Sequence, residues 1–149
     1  MVRLQVAVDT PQHAGLGGTL DYLSEQPLSA GTLVRVPLGR RDLLGIVWSG
    51  DAGECAEAAL KPLAAVLAEL PPLDAAWREL VAFASGYYQR SIGELALSVL
   101  PPELHKLDGA QIALRLRKLH KALDEAPEAP PEHPPAPSAE QAEVLARLE

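Results

Sequence analysis

Val2, Leu4, Val6 and Val8 alternate with Arg3, Gln5 and Ala7. That period of two predicts a half-buried strand at the start of the chain. Thr10 to Gly18 is rich in turn residues, and Leu20 to Leu23 reads as a short second strand. After the turn Leu28-Ser29-Ala30-Gly31, Thr32 to Pro37 forms a third run and Leu43 to Ser49 a fourth. Between these two lies Leu38-Gly39-Arg40-Arg41-Asp42, a hairpin-like connection in which Gly39 is free to take positive φ. A loop over Ser49 to Glu54 follows. Lys61-Pro62 then opens an apolar run to Leu67, read as a fifth strand with its proline near the start.

After Pro71-Pro72 the period lengthens. Leu73, Trp77, Leu80, Ala84 and Tyr87 recur at helical spacing, and Ala76, Val81 and Tyr88 widen the stripe. Asp74 suits the helix N-terminus. The aromatic pair Tyr87-Tyr88 falls on this stripe and is expected in the core. A shorter helix over Ile92 to Val99 ends at Pro101-Pro102. Ile112, Leu116, Leu119 and Leu123 mark one face of a third helix, with Arg115, Lys118 and Lys121 around the rest as a solvated face. Ala126 to Pro137 is Ala/Pro/Glu-rich, a stiff linker. Ser138-Ala139-Glu140-Gln141 has the look of a cap leading into another helix. The predicted architecture is α+β: a small five-stranded barrel-like β-sheet followed by two to three helices.

Composition narrows the function. With 149 residues, 48% hydrophobic and 22% charged, the chain has room and material for one core, with or without a tail. A net charge of −7 argues against a protein that coats nucleic acid, which is usually basic. That charge is unevenly spread. Residues 106–126 hold five Lys/Arg against three Asp/Glu, whereas residues 127–149 hold one against five. The acidic balance therefore belongs largely to the linker and tail. No phosphate loop of the G-x-x-x-x-G-K-[ST] type and no G-x-S-x-G elbow is present. Gly15-Leu16-Gly17-Gly18 precedes a strand rather than a helix, which makes it an ordinary loop. His13, His105, His120 and His133 lack metal-ligand spacing. Cys55, the one cysteine, sits between Glu54 and Glu57, where a thiolate is disfavoured. These readings assign no catalytic residue, no metal ligand and no cofactor to this chain. The start has no signal-peptide pattern and no stretch nears the ~20 apolar residues of a membrane span. With a single cysteine the expected compartment is the cytoplasm.

Three segments together carry a resemblance. They are Thr19-Leu20-Asp21-Tyr22-Leu23, then Gly31-Thr32-Leu33-Val34-Arg35-Val36-Pro37-Leu38-Gly39-Arg40 with Leu44-Gly45-Ile46-Val47, then Leu60-Lys61-Pro62-Leu63. In order and spacing they resemble the N-terminal 3′-DNA-binding domain of the bacterial replication-restart family PriA (primosomal protein N′). Trp77 to Tyr88, Ile92-Gly93-Glu94 and Leu100-Pro101-Pro102 are similar to the helical part of that domain. The resemblance covers residues 1–105. Residues 106–126 then read as a helix left from a reduced winged-helix region, 127–137 as the linker, and 138–149 as the start of a truncated motor-like domain.

The resemblance implies a pocket for one terminal nucleotide, built here by Leu20, Asp21, Gly39 and Lys61. An ionised aspartate accepts a hydrogen bond from a free 3′-hydroxyl but repels a phosphate in that place. A glycine lets backbone approach the nucleotide, and a lysine supplies a point charge for phosphate. Leu20 stands where the family often has an aromatic, so apolar contact replaces a base stack worth ~1–3 kcal/mol. Arg35, Arg40 and Arg41 are further candidates for DNA-backbone contact. Each residue also has a plainer reading: Asp21 a strand-end aspartate, Tyr22 a core residue, Gly39 a turn glycine, Lys61 a solvated lysine, Arg40 and Arg41 a solvated hairpin tip. The implied role is non-enzymatic: recognition of stalled or abandoned forks through the 3′-OH of the nascent leading strand, as a nucleoid-associated protein. Implied partners are forked DNA, single-stranded DNA-binding protein and primosome proteins, with no membrane. The parent would resemble an ATP-dependent 3′–5′ helicase, with ATP/Mg and zinc confined to its motor. The rival reading is a small-barrel protein–protein adaptor, favoured by the acidic balance and by Leu20.

Overall fold

The alternation at the N-terminus becomes strand β1 (Val2–Val8), whose even residues Leu4, Val6 and Val8 are buried in the central cluster. The computed structural model describes residues 1–10, 18–49, 60–125 and 138–139. Within these, β2 (Thr19–Ser24), β3 (Leu33–Leu38) and β4 (Arg41–Ser49) follow as expected. β1 is flanked by β2 and β4, and β4 pairs with β3, all antiparallel. Leu38 faces Arg41, so the β3–β4 hairpin turns on Gly39 and Arg40 alone. Gly39 has φ 62 and Arg40 is not in the positive-φ region. This is the two-residue turn whose twist suits a hairpin, with glycine at its first central position.

The expected fifth strand is two shorter ones. β5 (Lys61–Pro62) lies parallel to β2, and β6 (Ala65–Val66) lies antiparallel to β3. The sheet order is β5-β2-β1-β4-β3-β6, six strands rather than five. The physical reason is closure. Leu63 N–H donates to Leu23 O at 2.9 Å, and Ala64 N–H donates to Arg35 O at 2.8 Å. One short segment thus crosses from one sheet edge to the other and satisfies both, which curls the sheet into a half-barrel and leaves neither edge open there. Pro62, with no N–H to give, is tolerated on such an edge. Inside the curl, Leu4, Val6, Val8, Tyr22, Val34, Val36 and Val47 are buried together, with Leu20, Leu43 and Leu63 packed against them.

The opposite face of the sheet carries the helices. Its strand residues Ala7, Leu33, Leu44 and Ile46 are buried as well, because the outer face of β1, β3 and β4 is covered. Helix α1 (Ala75–Tyr88) starts where Asp74 Oδ1 accepts from Ala76 N–H at 2.7 Å. Helix α2 (Ile92–Ser98) is capped by Ser91, whose hydroxyl accepts from Glu94 N–H. A 3₁₀ turn (Pro102–His105), absent from the expected elements, leads into α3 (Gly109–Asp124). Asp108 and Gln111 cap α3 reciprocally, each accepting from the other's backbone N–H.

Two expectations about burial fail. On α1 only Val81 is buried, while Leu80, Phe83, Tyr87 and Tyr88 are exposed. A broad apolar stripe contains more than one row, and here the row through Trp77, Val81 and Ala84 turns inward. The Tyr87-Tyr88 pair is therefore a surface feature, with Tyr87 also stacked on Phe83 at 6.1 Å between ring centres. On α3 Ile112 is buried, but Leu119 and Leu123 are exposed. Residues Met1–Arg115 form one compact unit, and Leu116–Glu149 a second. The glycine loop before Gly18, Cys55, the linker 127–137 and residues 140–149 lie outside the described residues. Among the described residues no helix is long and apolar enough to cross a membrane.

Candidate nucleic-acid interface

Leu20, Asp21 and Lys61, far apart in sequence, line one cavity of about 300 Å³ with Thr19, Tyr22, Pro37, Leu38 and Leu60. Closure of the barrel brings them together. The parallel pairing of β5 with β2 sets Lys61 opposite Tyr22, next to Asp21 along the strand. A cavity of this volume stands at the small end of ligand pockets. It suits one small group rather than a duplex.

Along β2 successive residues point to opposite faces. Leu20 and Tyr22 turn toward the barrel interior, Leu20 packed against its cluster and Tyr22 within it. Tyr22 is 3% exposed and its hydroxyl donates to Pro37 O at 3.3 Å. Its core reading is correct, and it also forms part of the cavity wall. Burial raises its phenol above the ordinary value of 10.0. Sign matters here: the unfolded chain ionises first, so stability present below pH 10 is lost as pH rises past that value. Tyr22→Phe is expected to reduce this alkaline loss, read as the slope of melting temperature against pH above about 10.

Asp21 points to the outer face, where Arg3 Nη2 donates to its Oδ2 at 2.7 Å. The other carboxylate oxygen, Oδ1, is closed to water and has no partner. Among the described residues Lys61, Arg40 and Arg41 make no ion pair, and all three are exposed. Gly39 is not a lining residue, but it follows Leu38, which is. The hairpin turn therefore begins next to the cavity wall, while Arg40 and Arg41 do not line it. The arrangement is an acid set in the wall, apolar side chains beside it and the exposed Lys61 at the edge.

Arg35, also a candidate for DNA-backbone contact, has a structural role. Its guanidinium donates to the carbonyls of Leu104, His105 and Leu107 at 2.7, 2.8 and 2.7 Å. The residue is a brace that ties β3 to the 3₁₀ turn and the residues just after it, and three of its five N–H donors are engaged there.

A family model described as the PriA 3′-DNA-binding domain (3′BD) matches residues 5–101, more than half of the chain. The chain belongs to the PriA 3′-DNA-binding domain family. It is a DNA-binding module of replication restart, from a family that binds DNA 3′ ends. Such a domain is not itself catalytic. Within the matched span lie Leu20, Asp21, Gly39 and Lys61, together with the second half of β1, strands β2 to β6, and α1 and α2. Sequence reasoning missed one member of this constellation, Arg3. It stands on an outward position of β1, which the alternation shows, but only the β1–β2 register brings it to Asp21.

Proposed function

We propose that the cavity between β2, the end of β3 and Lys61 holds the terminal nucleotide of a strand ending in a free 3′-hydroxyl. In this reading the strand is the nascent leading strand at a stalled or abandoned fork. Its capture marks the site for primosome assembly and reloading of the replicative helicase. The observation that carries the reading is the convergence of Leu20, Asp21 and Lys61 on one nucleotide-scale cavity. Asp21 accepts the 3′-hydroxyl, Leu20 contacts the base or sugar, and Lys61 neutralises the phosphate on the 5′ side. Gly39 holds the tight turn that keeps Arg40 and Arg41 on the hairpin next to the cavity, where they meet the backbone of the adjacent duplex. The protein would act in the cytoplasm at the nucleoid, with single-stranded DNA-binding protein and primosome proteins as partners. Any ATP, magnesium or zinc chemistry of a parent motor belongs to other segments than the half-barrel.

The test is a fluorescence titration with labelled DNA ending in a recessed 3′-OH or 3′-phosphate. The 3′-OH end is expected to bind more tightly. Asp21→Ala is expected to weaken 3′-OH binding about tenfold or more, the scale of a hydrogen bond to a charged group. Lys61→Ala is expected to weaken binding several-fold and to lower the slope of log affinity against log salt by about one. Equal affinity for the two ends would overturn the pocket. The adaptor reading draws on the exposed aromatic face of α1. It predicts partner binding nearly insensitive to salt, whereas even a few phosphate contacts give a measurable slope.

A further inference from the structure

Ala75, Arg78, Glu79 and Ala82 stand at i, i+3, i+4 and i+7 of α1 and share one stripe of the helix. Trp48 of β4 meets that stripe. It follows Val47, which belongs to the central cluster, so it points to the opposite, helix-covered face of the sheet. These five residues line a cavity of about 170 Å³. Two alanines facing an indole leave this space, which longer side chains would fill. Trp48 is therefore only half-buried.

Among the described residues nothing bonds to the Arg78 guanidinium. Its Nε is closed to water and has no partner, a state that calls for an explanation in a folded protein. Burial at Nε fixes the guanidinium in place. The two Nη nitrogens are not closed off in this way, and they are the donors a ligand in the cavity would meet. The cavity shares no lining residue with that of Asp21 and Lys61.

We propose that this cavity is a second nucleic-acid site, which takes one unpaired base of single-stranded DNA on Trp48 and the adjoining phosphate on Arg78. It goes beyond the 3′-end reading and requires only that the family binds DNA. An aromatic ring and an arginine at one site are what single-strand binding uses: the ring stacks a base, and the planar fork grips a phosphate. The small volume admits a flat ring and leaves sugar and phosphate outside, so an internal nucleotide serves as well as a terminal one. Glu79 sets a carboxylate in the same wall. It disfavours a bare phosphate and accepts from an exocyclic amine, which cytosine has and thymine lacks.

The chain has two tryptophans, so Trp77→Phe leaves Trp48 as the reporting indole. That variant, shown to be folded by thermal unfolding, is titrated at low salt with short dC and dT oligonucleotides closed by a 3′-phosphate. The dC strand is expected to quench Trp48 emission, and dT to bind several-fold more weakly. Arg78→Gln is expected to weaken dC binding several-fold and to lower the slope of log affinity against log salt by about one. Ala82→Leu changes an exposed position to another good helix former and fills the cavity without touching a charge. It is expected to cost about tenfold in affinity, the scale of a lost base stack. Asp21→Ala is expected to leave the quenching intact, and Ala82→Leu to leave any preference for recessed 3′-OH ends intact, so each site can fail alone. Unchanged Trp48 emission at saturating dC, or quenching that survives Ala82→Leu, would overturn the proposal. Quenching by an Asp/Glu-rich peptide and not by dC would overturn it in favour of a protein partner.

Discussion

Gly93→Ala is expected to destabilise the domain by about 3 kcal/mol or more, the upper end of what overpacking costs. Helix propensity points the other way, since alanine is favoured over glycine in a helix by about 1 kcal/mol. Geometry decides the sign. Gly93 is the second residue of α2, and its α-carbon rests directly on β1. A Cβ there would overlap the carbonyl group of Val8 and come within 2.7 Å of its nitrogen. Both partners are backbone, so no rotamer change relieves the overlap. Val8 lies fully buried in a strand paired on both sides, so it has no room to retreat. The helix must lift off the sheet and expose Ala96 and Leu97, which it buries. Gly86 is the control. It lies in α1, and a Cβ built on it meets nothing within 4 Å. Gly86→Ala is therefore expected to be neutral or to stabilise by about 0.5 kcal/mol. Differential scanning calorimetry should separate the two, with the Gly93 variant melting about 10 °C lower or more. Equal melting temperatures would show that α2 is not seated on β1.

The contrast between these glycines shows what the sequence makes legible. Both sit in segments with a clear helical period, and nothing local distinguishes them. Only the seating of α2 on β1 does, and that is a tertiary fact. β1 is readable because its first half has one buried face, which writes a period of two into the chain, while β3 and β4, covered on both faces over much of their length, are readable as apolar runs bounded by turn residues. The Lys61–Leu67 run is apolar without a period, so its division between two sheet edges is hidden until the sheet curls. On α1 the period marks a stripe but not which row turns inward, and Leu80, Tyr87 and Tyr88 fall on the wrong side of it. The site divides similarly. Leu20, Asp21 and Lys61 were legible through motif order, and the structure brings them together. Arg3 was not, because its partner depends on the register of two strands joined by a loop whose length does not fix it.

Arg35→Ala is expected to cost about 2 kcal/mol, for a different reason from the glycine. The guanidinium holds three carbonyls, two in the 3₁₀ turn at Leu104 and His105 and one just after it at Leu107. A hydrogen bond to a charged group contributes about 1.5–3 kcal/mol when its partners have no other recourse. Here His105 is exposed and Leu104 and Leu107 are half-buried, so water can replace part of the loss. The sum of three full bonds is therefore too large, and the lower figure is the sounder one. The damage should be local. Without the brace, the 3₁₀ turn loses its tie to β3, while the half-barrel keeps its own ladder and its buried cluster. Hydrogen exchange is expected to rise at 102–112 and remain slow in β1, β3 and β4. Arg35→Lys should recover only part of the protection, because an ammonium cannot reach three carbonyls as a planar fork does. The same variant also tests the rival role for this residue. Arg35 lines a separate cavity with His105 and Asp108 and none of the residues around Asp21. Affinity of the folded variant for a recessed 3′-OH end should therefore remain within about twofold of native, as for independent sites. A tenfold loss of DNA affinity with unchanged exchange at 102–112 would return Arg35 to the DNA-contacting set and remove it from the brace.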